Sequence, residues 1–140
     1  MATSTRLLLD TCAAIWITED APLADAAARA IDGAFHEGRP IFVSPITAWE
    51  RGVLVAKGRL ASPITPHAWF SRLVAETGFA VADLSPEILI DSSFLPGAIH
   101  NDPADRILVA TARAMDLVVV TRDRKILTYA EEGHVRALAC

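Results

Sequence analysis

Four carboxylates in this chain stand where their neighbours make a carboxylate out of place. Glu50 lies four residues after Ile46 and three before Val53. Ile46, Trp49, Val53 and Leu54 repeat at helical spacing, which puts Glu50 within or at the edge of an apolar stripe. Glutamate is rarely buried unless it is paired or bound to a metal. Asp105 stands three before Leu108 and seven before Ala112, on the border of a second buried helix face. Asp10 ends the apolar run Leu7-Leu8-Leu9, and Asp123 follows Val118–Val120, so both leave strand ends. Each has an ordinary explanation when taken singly. Glu50 could pair with Arg51 or Lys57, Asp10 could end a strand in a turn, Asp105 could form a capping box with Asp102, and Asp123 could cap a helix. Four such acids at one edge of one sheet are harder to explain that way.

Like charges gathered in one cleft repel, and a divalent cation is the usual physical resolution. Oxygen-only ligands select Mg2+ or Mn2+ over zinc, and no histidine or cysteine pair here has zinc-ligand spacing. His100-Asn101-Asp102 offers one further ligand, but it reads first as a loop and a helix cap.

The elements that must position these acids follow from periodicity and punctuation. Short apolar runs at Leu7–Leu9, Ile41–Val43, Phe79–Ala82 and Leu117–Val120 suit strands buried on both faces, and Val135–Leu138 is a candidate closing strand. Ser44-Pro45, Thr65-Pro66, Ser85-Pro86 and Asp102-Pro103 each pair a capping side chain with a proline that has no N–H to lose in the first turn. They launch helices to about Lys57, Gly78, Ser93 and Met115. Further helices are expected over about Pro22–His36 and Arg124–Ala130. Strands and helices alternate, which predicts an α/β layer fold with a mainly parallel sheet. The 140 residues amount to one domain, 1–140, of which 52% are hydrophobic and only 6% aromatic, so an aliphatic core is expected.

A net charge of −4 argues against holding nucleic acid by bulk electrostatics, though not against a nuclease whose metal ions supply positive charge. Cys12 and Cys140 lie at opposite ends of the chain, which fits a reducing, cytoplasmic setting without disulfides. The opening MATSTRLLLD meets an aspartate after three leucines, so neither a signal peptide nor a membrane span is expected there.

Four pieces of sequence, LLLDTCAAIW, SPITAWERGVLVAKGRL, HNDPADRILVATARA and LVVVTRDRKI, resemble the PIN-domain family and most closely its VapC-type ribonuclease toxins. They keep the family's order and rough spacing over essentially the whole chain, and the HxDPxDR element is the most specific. The resemblance implies a PIN-like three-layer α/β/α sandwich on a sheet of four to five strands. It implies a Mg2+-dependent endoribonuclease, with Mn2+ as a possible substitute, whose acids are Asp10, Glu50, Asp105 and Asp123. It also implies RNA as substrate, a small antitoxin as partner and a homodimer as assembly. Cys12 and Ala104 depart from residues common in relatives, which bears on substrate details rather than on the ligands. On this reading Asp10, Glu50 and Asp105 hold one ion, while Asp123 completes that site or recruits a second ion. Thr11 and Thr121 are candidates for orienting carboxylates or waters, and Asp102 is a weaker candidate for such a role or for binding substrate. Arg106, Arg122, Arg124 and Lys125 could grip the substrate backbone, although for Arg106 a carboxylate partnership is preferred.

Two rival readings are weighed against this one. A Mg2+-dependent phosphohydrolase using an aspartyl-phosphate wants a second acid two residues after its nucleophile, and here that residue is Cys12. A catalytically silent PIN-like module that binds RNA or protein would have no need to keep all four acids.

Overall fold

The computed structural model of the chain describes residues 5–140. The expectation for the N-terminal segment falls in part on residues 1–4, which lie outside the described residues. Strands β1 (Leu7–Leu9), β2 (Ile41–Val43), β3 (Ala80–Val81), β4 (Val118–Thr121) and β5 (Arg136–Ala139) form one sheet. Their order is β3-β2-β1-β4-β5, and every adjacent pair is parallel. The helices are α1 (Thr11–Thr18), α2 (Asp25–His36), α3 (Pro45–Ala56), α4 (Pro66–Thr77), α5 (Pro86–Asp91), α6 (Pro103–Met115) and α7 (Arg124–Glu131).

The central strand shows why the chain folds into three layers. Leu7 and Leu9 point into one core with Ala13, Ala14, Ile31, Trp69 and Leu73. Leu8 points the other way, into a second core with Leu108, Val109, Ile126 and Tyr129. Side-chain alternation along a strand buried on both faces therefore recruits α1, α2 and α4 to one side and α6 and α7 to the other. The chain runs outward from β1 through β2 to β3, then returns to place β4 on the other flank of β1. That reversal leaves a crevice at the carboxyl ends of β1 and β4, where open parallel sheets bind ligands. Among the described residues, no helix is long and apolar enough to cross a membrane.

The four cap-plus-proline pairs all start helices, each with its side-chain oxygen accepting a backbone N–H in the first turn. Gly78 closes α4 in the left-handed region at φ 73°, a conformation that favours glycine. Two stretches differ from the sequence pattern. Periodicity assigns no element between Asp10 and Pro22, yet residues 11–18 form α1. That helix has few polar positions and buries Thr11, Ala13, Ala14 and Ile15, so it carries little amphipathic signal. The second difference is the face of α3. The expected stripe included Trp49, but Trp49 is 57% exposed, whereas Thr47 and Arg51 are buried. A polar face turns inward there, with partners for part of it, while the Arg51 Nε and NH1 nitrogens are buried without a hydrogen bond. Thr47 shares a hydrogen bond with Thr11 (3.0 Å), and Arg51 bonds Ser62 Oγ (3.2 Å) while stacking 4.5 Å from the Trp69 ring centre.

Candidate metal centre

Asp10 follows β1 directly and is the N-cap of α1, so one residue both ends a strand and starts a helix. Its two oxygens are engaged separately. Oδ1 accepts the Ala13 N–H at 2.7 Å, and Oδ2 accepts the Thr121 hydroxyl at 2.5 Å. Thr121 ends β4, is fully buried, and also accepts the Asp123 N–H at 2.9 Å. Burial raises the Asp10 pKa, while the Thr121 and Ala13 hydrogen bonds oppose the rise.

Glu50 sits one turn after Thr47 on α3 and receives the Thr11 hydroxyl. Thr11, whose hydroxyl proton goes to Glu50, is linked in turn to Thr47, so one threonine aims this carboxylate and the other steadies the first. The alternative pairing with Arg51 does not form: that guanidinium lies over the Trp69 ring with one nitrogen on Ser62 Oγ. Burial pushes the Glu50 pKa up, the Thr11 bond lowers it, and the charges of Asp102 and Asp10 raise it further.

Asp105 occupies the first turn of α6. Its N–H is capped by Asp102 Oδ1 at 3.1 Å. The reciprocal half of a capping box is absent, because the Asp102 N–H turns to His100 Nδ1 at 3.3 Å. Burial lifts the Asp105 pKa to about 7, with added repulsion from Asp102, Asp123, Glu50 and Asp10 in that order. All four sequence-flagged acids, together with Asp102, therefore share one electrostatic field. Asp123 caps α7 through a bond from the Ile126 N–H to Oδ2 at 2.9 Å, so its capping role holds alongside any other. Asp102 itself is exposed at the rim.

His100 has the placement that sequence reasoning underrated. Its Nε2 lies 3.2 Å from Asp105 Oδ2 and 3.4 Å from Asp123 Oδ2. The nitrogen is sealed from solvent, yet it is aligned for a hydrogen bond to neither carboxylate. Among the described residues, His100, Asp105 and Asp123 are the group of three whose ligand atoms all lie within 4.8 Å of one another. The acids thus divide into two pairs: Asp10 and Glu50 are fixed by threonines, while Asp105 and Asp123 flank an imidazole. The clue in the sequence was a histidine two residues before the Asp102-Pro103 cap, but loop histidines are common and spacing alone did not separate the cases. Thr47 gave no signal, because it lay outside the apolar stripe of its helix.

The arginines are placed differently from expectation. Arg106 was expected to pair with a carboxylate. It instead donates to the carbonyls of Ser92 (2.9 Å), Ile99 (3.3 Å) and His100 (3.3 Å), bracing the loop that carries the imidazole. Arg122 was expected to hold substrate. Its guanidinium is bonded to the Cys140 and Pro22 carbonyls and stacked on Trp16, which fastens the end of β5 to α1. Arg124 and Lys125, exposed at the start of α7 beside Asp123, have no hydrogen-bond or ion-pair partner among the described residues.

The donor set fits a divalent cation. Its oxygens are gathered against their own repulsion, and a sealed imidazole nitrogen stands between two of them without a hydrogen bond. A cavity of about 900 Å3 between α2 and α7 includes none of these acids and plays no part in the site. Away from the crevice, Trp49, Val53, Pro66, His67 and Phe70 line an apolar groove of about 730 Å3 between α3 and α4. Trp69, the neighbour of Phe70 on α4, is 4% exposed and belongs to the core.

Comparison with known proteins agrees with this architecture. The chain is 29% identical over 126 residues to Ribonuclease VapC22 of Mycobacterium tuberculosis, covering 89% of this chain and 92% of the relative. A crystal structure of VapBC2 from Rickettsia felis, bound to a DNA fragment from its promoter, superposes with a TM-score of 0.68 at 15% identity. DNA-bound VapBC from Salmonella typhimurium gives 0.65 at 18% identity. In both cases 96% of this chain and 98% of the other are covered, which shows a shared fold. The family model described as PIN domain matches residues 7–132, nearly the whole length, and the chain belongs to the PIN domain family.

Proposed function

We propose that this protein is a metal-dependent endoribonuclease, the toxin of a toxin–antitoxin pair, acting in the cytoplasm. The observation that carries the reading is the convergence of Asp10, Glu50, Asp105 and Asp123 in one crevice, where burial first and the neighbouring charges second raise the Asp105 pKa to about 7. The likeness to a ribonuclease relative supports the choice of substrate. Asp10, Glu50 and Asp105 would hold one Mg2+, or Mn2+ in its place, and Asp123 would complete that site or take part in a second. When bound, the ion supplies positive charge at the phosphodiester and lowers the pKa of water toward neutrality.

The chain's own residues provide the rest. Thr121 and the Ala13 N–H hold Asp10 in one rotamer, and Thr11 does the same for Glu50. Asp105 gives up the proton that burial and repulsion keep on it as the cation binds. Arg124 and Lys125 are free to contact RNA phosphates beside Asp123. No side-chain nucleophile is required. The α3–α4 groove, with Trp49 and Phe70 on its walls, suits the apolar anchors of a small antitoxin. An arginine of that partner, with its planar fork, could pair with the acids and block them.

The test is incubation of the purified chain with structured RNA in Mg2+ or in chelator. Cleavage should require the ion, and Asp10→Asn should abolish it with the circular dichroism spectrum unchanged. Metal-independent cleavage, or an active Asp10→Asn variant, refutes the assignment.

A further inference from the structure

We propose that His100, Asp105 and Asp123 form a position selective for a first-row transition ion, Mn2+ in preference to Mg2+, beside the Asp10–Glu50 pair. The inference deepens the nuclease reading and rests on it for its biological purpose, while its physical basis is separate. Neighbouring ligands on an octahedral ion with bonds near 2.1 Å stand about 3 Å apart. Nε2 lies 3.2 Å from one carboxylate oxygen and 3.4 Å from the other, close to that edge length on both sides. An imidazole placed to donate a hydrogen bond would line up with one acceptor. This one is aligned with neither, although its nitrogen is sealed from water.

The site is built rather than accidental. The imidazole side chain is only 14% exposed, and Arg106 ties down the His100 carbonyl and those of Ile99 and Ser92. Each acid is anchored by the helix it begins, Asp105 in the first turn of α6 and Asp123 at the cap of α7.

Ligand chemistry sets the selectivity. Carboxylates accept Mg2+ and Mn2+ alike, whereas an imidazole nitrogen suits first-row transition ions, and Mg2+ parts reluctantly with its water. One nitrogen with two carboxylate oxygens therefore shifts preference away from Mg2+. The proton balance is simple. The Asp102 N–H donates to Nδ1, so the neutral ring carries its proton on Nε2. On ligation that proton moves to Nδ1, and the Asp102 N–H contact is released. Nothing is oxidised or reduced.

The experiment titrates the full chain with Mn2+ alone, reading free ion by electron paramagnetic resonance, and repeats the titration against competing Mg2+. Wild type should prefer Mn2+, and in His100→Ala the Mn2+/Mg2+ affinity ratio should fall by about tenfold, the scale of losing a metal-site interaction. An unchanged ratio in a folded variant overturns the proposal. Should His100→Ala unfold, ring-nitrogen NMR of the wild type decides. The His100 Nε2 resonance should move with Zn2+ and stay in place with Mg2+, and no movement with Zn2+ overturns the proposal. Wild-type RNA cleavage in Mg2+ is measured on the same preparation. Absence of cleavage with the selectivity intact would sink the nuclease reading and leave this one standing.

Discussion

Removing one charge from the acidic crevice should stabilise the metal-free protein, and Asp105→Asn is the variant that measures it. A carboxyl whose folded pKa lies above its unfolded value holds its proton more tightly in the folded state. The protein therefore loses stability as pH rises between the two values. For Asp105 the window runs from 3.8 to about 7. Taken whole, that interval corresponds to about 4 kcal/mol. Solvent reaches 21% of the side chain, and screening halves the figure to about 2 kcal/mol. Against this stands the favourable interaction of a negative charge with the first turn of α6, about 0.5 kcal/mol, which asparagine forgoes. The net gain at pH 7.5 in chelator is about 1 to 1.5 kcal/mol, or about 3 to 5 °C in Tm for a domain of this size.

The assay is thermal unfolding in chelator from pH 4 to 8. Wild type should lose stability as pH rises toward 7, and the variant should show a shallower slope, because Asp10 and Glu50 still contribute their own raised pKa values. Saturating Mg2+ should reverse the ranking, since ligand binding to the folded state stabilises only the protein that binds it. An Asp105→Asn protein that melts below wild type at pH 7.5 in chelator would refute the argument and leave Asp105 as a structural residue.

Glu50→Gln keeps the shape and the Thr11 contact, so calorimetry should show metal affinity reduced by about tenfold or more with an unchanged far-ultraviolet spectrum. Asp123→Asn should preserve the α7 cap, because asparagine caps as well as aspartate, while Asp123→Ala should cost about 1 kcal/mol in urea unfolding; equal stability losses in both would mean the charge itself is structural. Thr121→Val removes the hydroxyl that bonds Asp10 and leaves the Asp123 N–H without its acceptor, for an expected loss of about 2 kcal/mol by urea denaturation, together with weaker metal binding.

What the sequence revealed, and what it hid, follows from which interactions are local. Helix starts were legible because a capping side chain and a proline act within one turn, and the Ser44, Thr65, Ser85 and Asp102 pairs needed no tertiary information. The sheet was legible because strands buried on both faces read as continuous apolar runs. Helix α1 was hidden for the complementary reason: it is packed on several sides and lacks the one-sided pattern that marks a surface helix.

The inward face of α3 could not be read because its burial is paid in long-range polar contacts. Thr47 is satisfied by a residue 36 positions away, and Arg51 is packed over the face of Trp69. Hydrophobicity ranked Trp49 above both, and the structure leaves Trp49 in the groove wall instead. Glu50 lies beside Thr11 and Thr47 although the stripe that flagged it was drawn partly on the wrong residues, because its one-turn distance from Ile46 also puts it beside Thr47. His100 escaped for the same reason as Thr47. Its significance lies in two carboxylates, one of them 23 positions along the chain, and in a loop held from below by Arg106. A side chain whose partners come from other elements has no local signature, so at this crevice the charges announced themselves, Thr11 and Thr121 were marked only by standing at strand ends beside two of them, and Thr47 and His100 went unmarked.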